Sequence, residues 1–263
     1  MKQITLPDKI SIKDLKNNQY QVVIEPCYPG FGVTLGNALR RVLLSSLEGG
    51  AVTSFRVEGA KHEFDSIENI KEDLIEIMLN LKQLRLKVFS DEPVKLKLEA
   101  KGEKVVTAAD IAKNSDVEII NKDLVIATLT DKQAKLTMEI TAEKGLGYVT
   151  VEQKNKGEKL EISNIAIDSS FSPVLNIGYS IENVRVGEMT NYEKLTLDIL
   201  TDGSLDAQEA ISQGAMRLKE HFSLFINETP EKVTVKEKKA KKETKAIEGK
   251  EEKKQKKEKK VAK

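Results

Sequence analysis

The chain has 263 residues, of which 39% are hydrophobic and 32% charged, and it contains one cysteine and two histidines. This length allows one large domain or two modest ones, with a core of useful size. The single thiol, Cys27, excludes an intramolecular disulfide and a thiolate metal cluster, and we do not expect a zinc site. The absence of tryptophan and an aromatic content of 5% argue against a surface on which nucleic-acid bases stack.

The formal net charge of +1 combines two unequal parts. Residues 232–263 hold 15 lysines and six glutamates, a net charge of +9, whereas the rest holds 28 basic and 36 acidic residues, a net charge of −8. An acidic body is not typical of a general nucleic-acid binder. The segment 229–263 has too few apolar residues to offset its chain entropy, so we predict a disordered basic tail.

No targeting or membrane signal is visible. The N-terminal sequence MKQITLPDKISIKDL lacks the apolar run of a signal peptide, and no stretch of about 18 apolar residues occurs. We therefore expect a soluble cytoplasmic protein with no membrane contact.

The first predicted elements are a strand and a helix separated by an irregular turn. β-branched residues predict a strand over 20–25, and the Pro and Gly residues of 26–32 predict the turn. Thr34 is a suitable N-cap for a helix that runs to about Ser46, and the glycines at 49–50 suit its end.

This helix carries a wide apolar stripe, with Arg40 and Arg41 on another flank. It can be a core helix with two solvated arginines, or a helix that its own sheet covers on one side and a partner chain on the other. Leu44, which lies off the main stripe, favours the second interpretation. The stripe consists of Leu35, Ala38, Leu39, Val42 and Leu43, widened by Leu44 and Leu47.

A β-rich region follows. Alternation predicts a strand over 51–58, and an apolar stripe predicts a second helix near 70–83. The stretch 84–167 has frequent turns, and TAADI at 107–111 predicts a single helical turn. Its predicted strands are 94–99, 104–107, 123–128, 134–140, 146–152 and 159–167.

Two more strands and a long helix complete the predicted fold. The strands are 174–187 and 192–200, and the helix runs from about Leu205 to Ile226, with Ser204 or Asp202 as its cap. The helix stripe has heptad-like spacing, and Leu224 and Ile226 add an apolar flank. The stripe is Ile211, Ala215, Leu218, Phe222 and Phe225.

The sequence lacks the motifs of common catalytic sites. GFGVTLG at 30–36 has the glycines of a phosphate loop but no following GKS or GKT, so a turn that only shapes the backbone is favoured. There is no GxSxG or HExxH motif, and the acidic residues between 65 and 73 fit a solvated face. These patterns favour a binding or scaffolding role over an enzyme with an unrecognised site or a regulator that acts through the tail.

Nine ordered blocks between residues 20 and 226 resemble the alpha subunit of bacterial and plastid RNA polymerase. The blocks are PGFGVTLGNALRRVLLSSLEGGAV (29–52), HEFDSIENIKEDLIEIMLNLKQL (62–84), TAADI (107–111), VEII (117–120), LTD (129–131), GYV (147–149), IDSSFSPV (167–174), YSIENVRVGEMTNYEKLTLDI (179–199) and DGSLDAQEAI (202–211).

The resemblance implies an α+β fold with two domains. A discontinuous dimerisation domain would consist of 1–48 and 171–228, with 49–170 as an inserted β-rich domain and 229–263 as the tail. The first predicted helix and the long final helix would each pack against their copies across a two-fold axis. The implied dimer interface contains Leu35, Leu39, Leu43, Leu44, Leu218, Phe222 and Phe225.

The resemblance also implies a non-catalytic subunit of a nucleotidyltransferase, a homodimeric scaffold that gathers the large subunits for RNA synthesis. The partners that the resemblance implies are beta, beta-prime, omega and sigma, with DNA reached through the complex. No cofactor is expected on this chain, and the catalytic Mg²⁺ is expected on beta-prime.

Individual contacts are implied residue by residue. Arg40 and Arg41 match positions that contact beta. Glu76, Lys82, Ser172 and Val174 match positions that contact beta-prime, and Pro173 lies in the same stretch as the last two, which matches a second large-subunit contact. The alternative for each is an ordinary exposed charge or turn.

The C-terminal region departs from the family pattern. The usual helical domain that binds promoter DNA and activators is not recognisable in 232–263, which puts this type of recognition in doubt. The lysine-rich tail either binds nucleic acid without sequence preference or serves as a solubilising segment.

Overall fold

The computed structural model describes residues 4–154 and 163–227, so the predicted tail at 229–263 lies outside the described residues. The helices within these ranges are α1 (Phe31–Ser45), α2 (Leu74–Lys82), α3 (Val151–Lys154) and α4 (Ala207–Asn227), with a 3₁₀ turn at Ala108–Asp110. The strands are β1 (Lys9–Asp14), β2 (Gln19–Cys27), β3 (Glu48–Val57), β4 (Leu86–Val88), β5 (Val94–Lys101), β6 (Lys104–Thr107), β7 (Val117–Ile119), β8 (Val125–Leu129), β9 (Lys135–Leu146), β10 (Tyr148–Val149), β11 (Ile165–Ala166), β12 (Ser169–Ser170), β13 (Val174–Val186) and β14 (Met189–Thr201).

A four-stranded antiparallel sheet joins distant parts of the chain in the order β1-β2-β14-β13. Its register places Ile24, Leu195 and Ile181 side by side, and the same face continues two residues further along with Val22 and Leu197. Helix α1 lies against β13 and β14. The period of two in apolar residues thus gives this sheet one face suited to a helix.

A larger sheet has the order β5-β9-β3-β4-β7, with β11 beside β3. β5 alternates strictly between buried and exposed residues, and α2 contributes Leu74, Ile77 and Leu81, which are fully buried. Together with neighbouring segments these elements form one hydrophobic core whose buried residues all lie between Val52 and Ile167. Two short sheets, β6–β8 and β10–β12, complete the strand pairing.

The chain divides into two compact units, Met1–Ala215 and Met216–Lys263. The boundary falls inside α4, so the two parts of that helix are described separately below. The predicted division into 1–48 with 171–228, 49–170 and 229–263 stays a prediction. The predicted α+β class is confirmed, because strands and helices are mixed along the described chain.

Several predicted boundaries of the first half of the chain were wrong. Thr34 is not the N-cap of α1, because the helix already begins at Phe31 and Gly30 is the N-cap. The glycines at 49–50 do not follow the helix as a cap but lie inside β3. A Cβ atom on Gly49 would come within 1.9 Å of the Phe171 carbonyl oxygen, so close backbone approach explains this glycine.

The later boundaries show how local hydrogen bonds set helix starts. α2 begins at Leu74 instead of residue 70, because Asp73 caps it by accepting from the Glu76 N–H at 2.7 Å. α4 begins at Ala207, where Asp206 accepts from the Glu209 N–H at 2.6 Å, so neither Ser204 nor Asp202 is the cap. The predicted strand 146–152 is wrong at its end, since residues 151–154 are helical. Strand β1, near the start of the chain, was not predicted.

Candidate assembly surfaces

The glycine-rich start of α1 is tied to the four-stranded sheet by Glu193. This β14 carboxylate accepts hydrogen bonds from the N–H groups of Gly30 and Gly32, both at 2.8 Å. Gly30 has φ +86°, a conformation that glycine adopts at little cost. The carboxylate therefore satisfies unpaired N–H groups at the helix start and also complements the helix dipole.

Two further glycine positions explain why α1 lies so close to the sheet. A Cβ atom on Gly32 would lie 2.6 Å from Glu193 Oε2, and one on Gly36 would lie 2.9 Å from Leu195 Cδ1 and from the Tyr179 ring. The N-terminus of α1 is thus already occupied by a carboxylate of the same chain. This supports the interpretation of GFGVTLG as a backbone-shaping turn over that of a phosphate loop.

Arg40 and Arg41 are both exposed on α1. Neither forms an ion pair with another residue in the described ranges. Successive helix positions differ by about 100°, so the two guanidinium groups point in different directions from the helix axis. Both can bind carboxylates or carbonyl oxygens of a partner through paired hydrogen bonds.

The predicted interface leucines of α1 fall into two groups. Leu39 and Leu43 are buried within the chain, and a Cβ atom on Gly214 would lie 2.8 Å from Leu43 Cδ2. Leu35 and Leu44 are half-buried. The centre of the stripe thus packs internally, and only its edges have surface left for a partner.

The second unit contains the other predicted interface residues. Leu218 is half-buried, whereas the side chains of Phe222 and Phe225 are 60% and 87% exposed. Their spacing of four and three residues places them on one helix face. Leu224 and Ile226 are also exposed, so this part of α4 is strongly apolar at its surface.

Lys82, at the end of α2, belongs to a polar cluster. Its Nζ lies 3.0 Å from Tyr148 Oη and 3.8 Å from Asp168 Oδ2, and Tyr148 Oη donates to Asp168 Oδ2 at 3.1 Å. Glu76, six residues earlier in the same helix, is exposed. The cluster fixes the direction of Lys82, while Glu76 remains at the surface.

Two groups in and beside this cluster, the carboxyl of Asp168 and the amine of Lys154, have shifted pKa values. The Val151 N–H donates to Asp168 at 2.9 Å and is the main cause that lowers the pKa of Asp168, with Tyr148 and Lys82 adding to it. Burial lowers the pKa of Lys154, whose Nζ lies 2.9 Å from the Ile167 carbonyl oxygen. The charged carboxylate is thus favoured and the charged amine is disfavoured by their surroundings.

A groove of about 600 Å³ lies beside this cluster. Lys82 and Asp168 line its polar side, and α2 supplies apolar side chains. The apolar lining includes Phe64, Ile75, Met78, Leu79, Val151 and Ile167.

Ser172 connects the end of α1 with the start of β13. Its Oγ lies 3.2 Å from the Leu44 carbonyl oxygen and 3.1 Å from that of Val174. Pro173 is buried and the Val174 side chain is only 3% exposed. All the individual contact assignments, to beta, to beta-prime and across the dimer, stay predictions.

Neither a metal cluster nor a membrane helix is found in the part of the chain that the structure describes. No group of three His, Cys, Asp or Glu residues in these ranges could hold a metal ion. No helix in the same ranges has the length and apolar character needed to cross a bilayer.

Sequence reasoning missed Glu193, Tyr148 and Asp168. Glu193 lies more than 160 positions from the glycines it caps, and Asp168 is 86 positions from Lys82, so spacing gave no signal. All three lie inside or next to the ordered blocks, which was the only indication available.

Comparisons with known proteins identify the chain. The family model described as RNA polymerase Rpb3/RpoA insert domain matches residues 55–172, which defines the class as RNA polymerase subunits that contain this domain. The DNA-directed RNA polymerase subunit alpha of Moorella thermoacetica is 49% identical over 234 residues, covering 88% of this chain and 74% of the relative. The corresponding subunits of Carboxydothermus hydrogenoformans and Symbiobacterium thermophilum are 48% and 50% identical over 83% and 85% of this chain, and 69% and 71% of the relatives.

The chain therefore belongs to the family of DNA-directed RNA polymerase alpha subunits. These are non-catalytic subunits of a nucleotidyltransferase that acts in transcription. The predicted family and the predicted function as an alpha subunit are confirmed.

Proposed function

We propose that this alpha subunit acts as a homodimeric scaffold on which the beta and beta-prime subunits assemble. The observation that carries the proposal is the exposed apolar face of α4, in which Phe222 and Phe225 have most of their side-chain surface accessible. Exposed aromatic residues on one helix face are typical of a surface that another chain covers.

The first unit offers a second apolar surface of the same kind. Ile10 and Ile12 of β1 are exposed on the sheet face that α1 covers further along, and Leu35 is half-buried on the flank of α1. A two-fold dimer brings each such patch against its counterpart on the other chain. Obligate interfaces of this kind bury on the order of 2,000 Å² or more.

Charged side chains at the surface provide the contacts that we propose for the large subunits. In this proposal Arg40 and Arg41 contact beta, because exposed guanidinium groups can form paired hydrogen bonds with acceptors of a partner. Lys82, Glu76 and Ser172 contact beta-prime, Ser172 being the half-buried member of the turn at 172–174. One protomer of the symmetric pair serves beta and the other beta-prime, within a complex that also contains omega and sigma.

The chemistry of RNA synthesis belongs to the rest of the complex. We place the catalytic Mg²⁺ on beta-prime and no cofactor on this chain. We place the complex in the bacterial cytosol, because the matched relatives come from bacteria.

The test is a sizing and reconstitution experiment with the full chain. The protein alone should elute as a dimer at micromolar concentration, and it should enter a stoichiometric complex when beta and beta-prime are added. A monomer that binds neither large subunit would reject the proposal.

A second role is supported by the charge contrast within the chain. Residues 232–263 have a net charge of +9 against −8 for the rest. We propose that this segment binds nucleic acid without sequence preference, by neutralising phosphates and releasing counterions. The full chain and a chain ending at residue 228 should differ in DNA affinity at low salt and converge as salt rises. Equal affinity at low salt would leave only a solubilising role.

A further inference from the structure

Helix α2 has two apolar sides, and the core uses one of them fully. Leu74, Ile77 and Leu81 are completely buried in the core of the larger sheet. Ile75 and Leu79, four residues apart, lie on a different face of the helix, where Ile75 is half-buried and Leu79 is 51% exposed. A nine-residue helix that is apolar on two sides has surface left for a second packing partner.

This second face of α2 forms one wall of the groove of about 600 Å³ beside the polar cluster. Ile75, Met78 and Leu79 line the groove from the helix, and Phe64, whose side chain is 74% exposed, lines it as well. Ligand-binding clefts typically have volumes of about 300–1,000 Å³. The groove is therefore large enough to receive a few side chains of a partner.

Another wall of the groove is β11, a strand with a free edge. β11 pairs with β3 on one side, and no strand within the described ranges pairs with its other side. The Ile167 N–H donates to the Thr53 carbonyl oxygen at 2.9 Å, so alternation turns the N–H and C=O groups of Ala166 away from β3. Ala166 is half-buried and lines the groove. Its backbone is thus available for hydrogen bonds with an occupant of the groove.

The charged residues of the groove favour a basic occupant. Lys82 and Asp168 both line it and lie 3.8 Å apart, so their charges compensate each other. Glu63, the third charged residue of the lining, is exposed and forms no ion pair with another described residue. The lining therefore carries one uncompensated negative charge, which a lysine or arginine of the occupant would complement.

The combination of a helix face and a free strand edge selects an extended peptide as the occupant. In strand addition the main chain of a peptide pairs with the edge, while every second side chain enters a pocket. A small apolar molecule would leave the N–H and C=O groups of Ala166 without a partner. A helix would cover the apolar face of α2, but its backbone groups are already paired internally.

From these observations we infer that the groove between α2 and β11 binds an extended peptide segment that pairs with Ala166. The segment has apolar side chains at alternate positions and a basic residue near Glu63. This inference goes beyond the proposed scaffold function, because it depends neither on the dimer nor on the assignment of Lys82 to beta-prime.

A titration of the full chain with a synthetic peptide tests the inference. The probe is a capped fluorescent pentapeptide with the order lysine, valine, threonine, valine, threonine, and binding is followed by fluorescence anisotropy. We expect saturable binding with a dissociation constant of about 1 mM or tighter. Replacing both valines by serine should weaken binding at least about tenfold, because the apolar contacts are lost. Absence of binding, or equal binding of the serine peptide, would overturn the inference.

Two N-methylated isomers of the probe test the main-chain hydrogen bonds. One isomer carries methyl groups on both valine nitrogens and the other on both threonine nitrogens, so their compositions are identical. Only every second N–H group of an added strand points towards β11. One isomer should therefore bind at least about tenfold more weakly than the other. Equal affinities would show that no strand pairing occurs and would overturn the inference.

Variants of the chain locate the binding site. Leu79→Ser should weaken peptide binding about tenfold, whereas Leu146→Ser, which removes a leucine that is 50% exposed outside the groove, should have little effect. Both side chains are about half exposed, so both variants should stay folded, as thermal melting would verify. Glu63→Gln, which alters no core packing, should weaken binding about threefold. Unchanged binding in both groove variants would place the peptide elsewhere and overturn the inference.

Sizing of the chain with saturating peptide separates this site from the proposed dimer interface. The elution volume of the dimer should not change when the groove is filled. Conversion to a monomer would show that a second copy occupies the groove and would overturn the inference. A chain that is monomeric and binds neither large subunit, yet binds the peptide as described, would reject the scaffold function alone.

Discussion

The two large sheets of this chain differ in how many of their large apolar side chains are exposed. The sheet around β3 and β9 closes its own core, and among its strands only Leu146, at the end of β9, is an exposed large apolar residue in the described ranges. The four-stranded sheet leaves five such residues exposed, namely Ile10, Ile12, Leu175, Val186 and Met189. The strands of the larger sheet thus bury almost all of their large apolar residues, whereas the strands of the four-stranded sheet leave several of them accessible. This difference fits the proposed role of the four-stranded sheet in assembly, because exposed apolar residues are available to a partner chain.

The largest effect is expected from Leu43→Asp, which tests whether the four-stranded region has an internal core at all. Leu43 is fully buried, so an aspartate there would place an unpaired charge in an apolar site. We expect a loss of about 4 kcal/mol or more in the free energy of unfolding, measured by denaturant titration. Leu43→Met, which conserves volume, should cost less than about 1.5 kcal/mol. A stable Leu43→Asp dimer would contradict the assigned packing.

Gly49→Ala tests the junction between the two sheets. A Cβ atom there would come within 1.9 Å of the Phe171 carbonyl oxygen, so the backbone must shift. We expect a destabilisation of about 2–3 kcal/mol by thermal or denaturant unfolding. Gly178→Ala is the matched control, because a Cβ atom at that strand position meets nothing within 4 Å. Equal stability of both variants would show that the contact is relaxed in solution.

The double variant Phe222→Ser, Phe225→Ser tests whether α4 completes the assembly surface. Both side chains are exposed, so their loss should leave the folded chain intact. We expect the dimer dissociation constant to rise at least about a hundredfold, since two aromatic groups are lost from each protomer. Sedimentation at several concentrations would measure it. An unchanged dimer would exclude this face from the interface.

Arg41→Ala separates contact with beta from dimerisation. The guanidinium is exposed and its removal changes no core packing, so the dimer should persist. We expect beta to bind about tenfold more weakly in a pull-down or titration. Arg56→Ala, which removes an exposed arginine from β3, should have little effect. Loss of the dimer instead would show that the faces of α1 are wrongly assigned.

The smallest effect concerns Asp168, in the polar cluster beside α2. Its folded pKa is lowered mainly by the Val151 N–H, so the unfolded chain holds the proton more tightly. The resulting stability is present above the unfolded pKa of about 4 and is lost as pH falls through the folded pKa. Asp168→Asn should lower the melting temperature by about 1–2 °C at pH 7, because the group is partly solvated, and the difference should shrink in acid. A difference independent of pH would rule out this linkage.

The sequence predicted helix faces and strand alternation better than contacts across the fold. The apolar stripe through Leu39 and Leu43 of α1 and the alternation in β14 could be predicted, because each depends only on the local spacing of apolar residues along the chain. In the sequence, Gly49 and Gly50 resemble the glycines that end a helix. In the structure they allow the close approach of Phe171 and Val88, which belong to other segments of the chain, so no local pattern indicates this role.

The candidate site was predictable only through its family blocks. The Arg40–Arg41 pair and Lys82 were named from the resemblance, while the partners of Lys82 were not. Tyr148 and Asp168 reach it by way of β10 and the turn before β12, an arrangement that no local pattern indicates. Glu193 was missed for the same reason, because Gly30 and Gly32, whose N–H groups donate to it, lie more than 160 residues earlier in the sequence.

The pairing of β2 with β14 has a consequence for synthesis on the ribosome. Cys27 ends one strand, and Met189 begins its neighbour about 160 residues later. At translation rates of about 5–20 residues per second, the first strand waits roughly 8–30 s for that neighbour to be made. The core between Val52 and Ile167 is fully synthesised before this sheet can close. All residues of this core are thus synthesised first, and the four-stranded sheet, which carries part of the proposed assembly surface, can form only later.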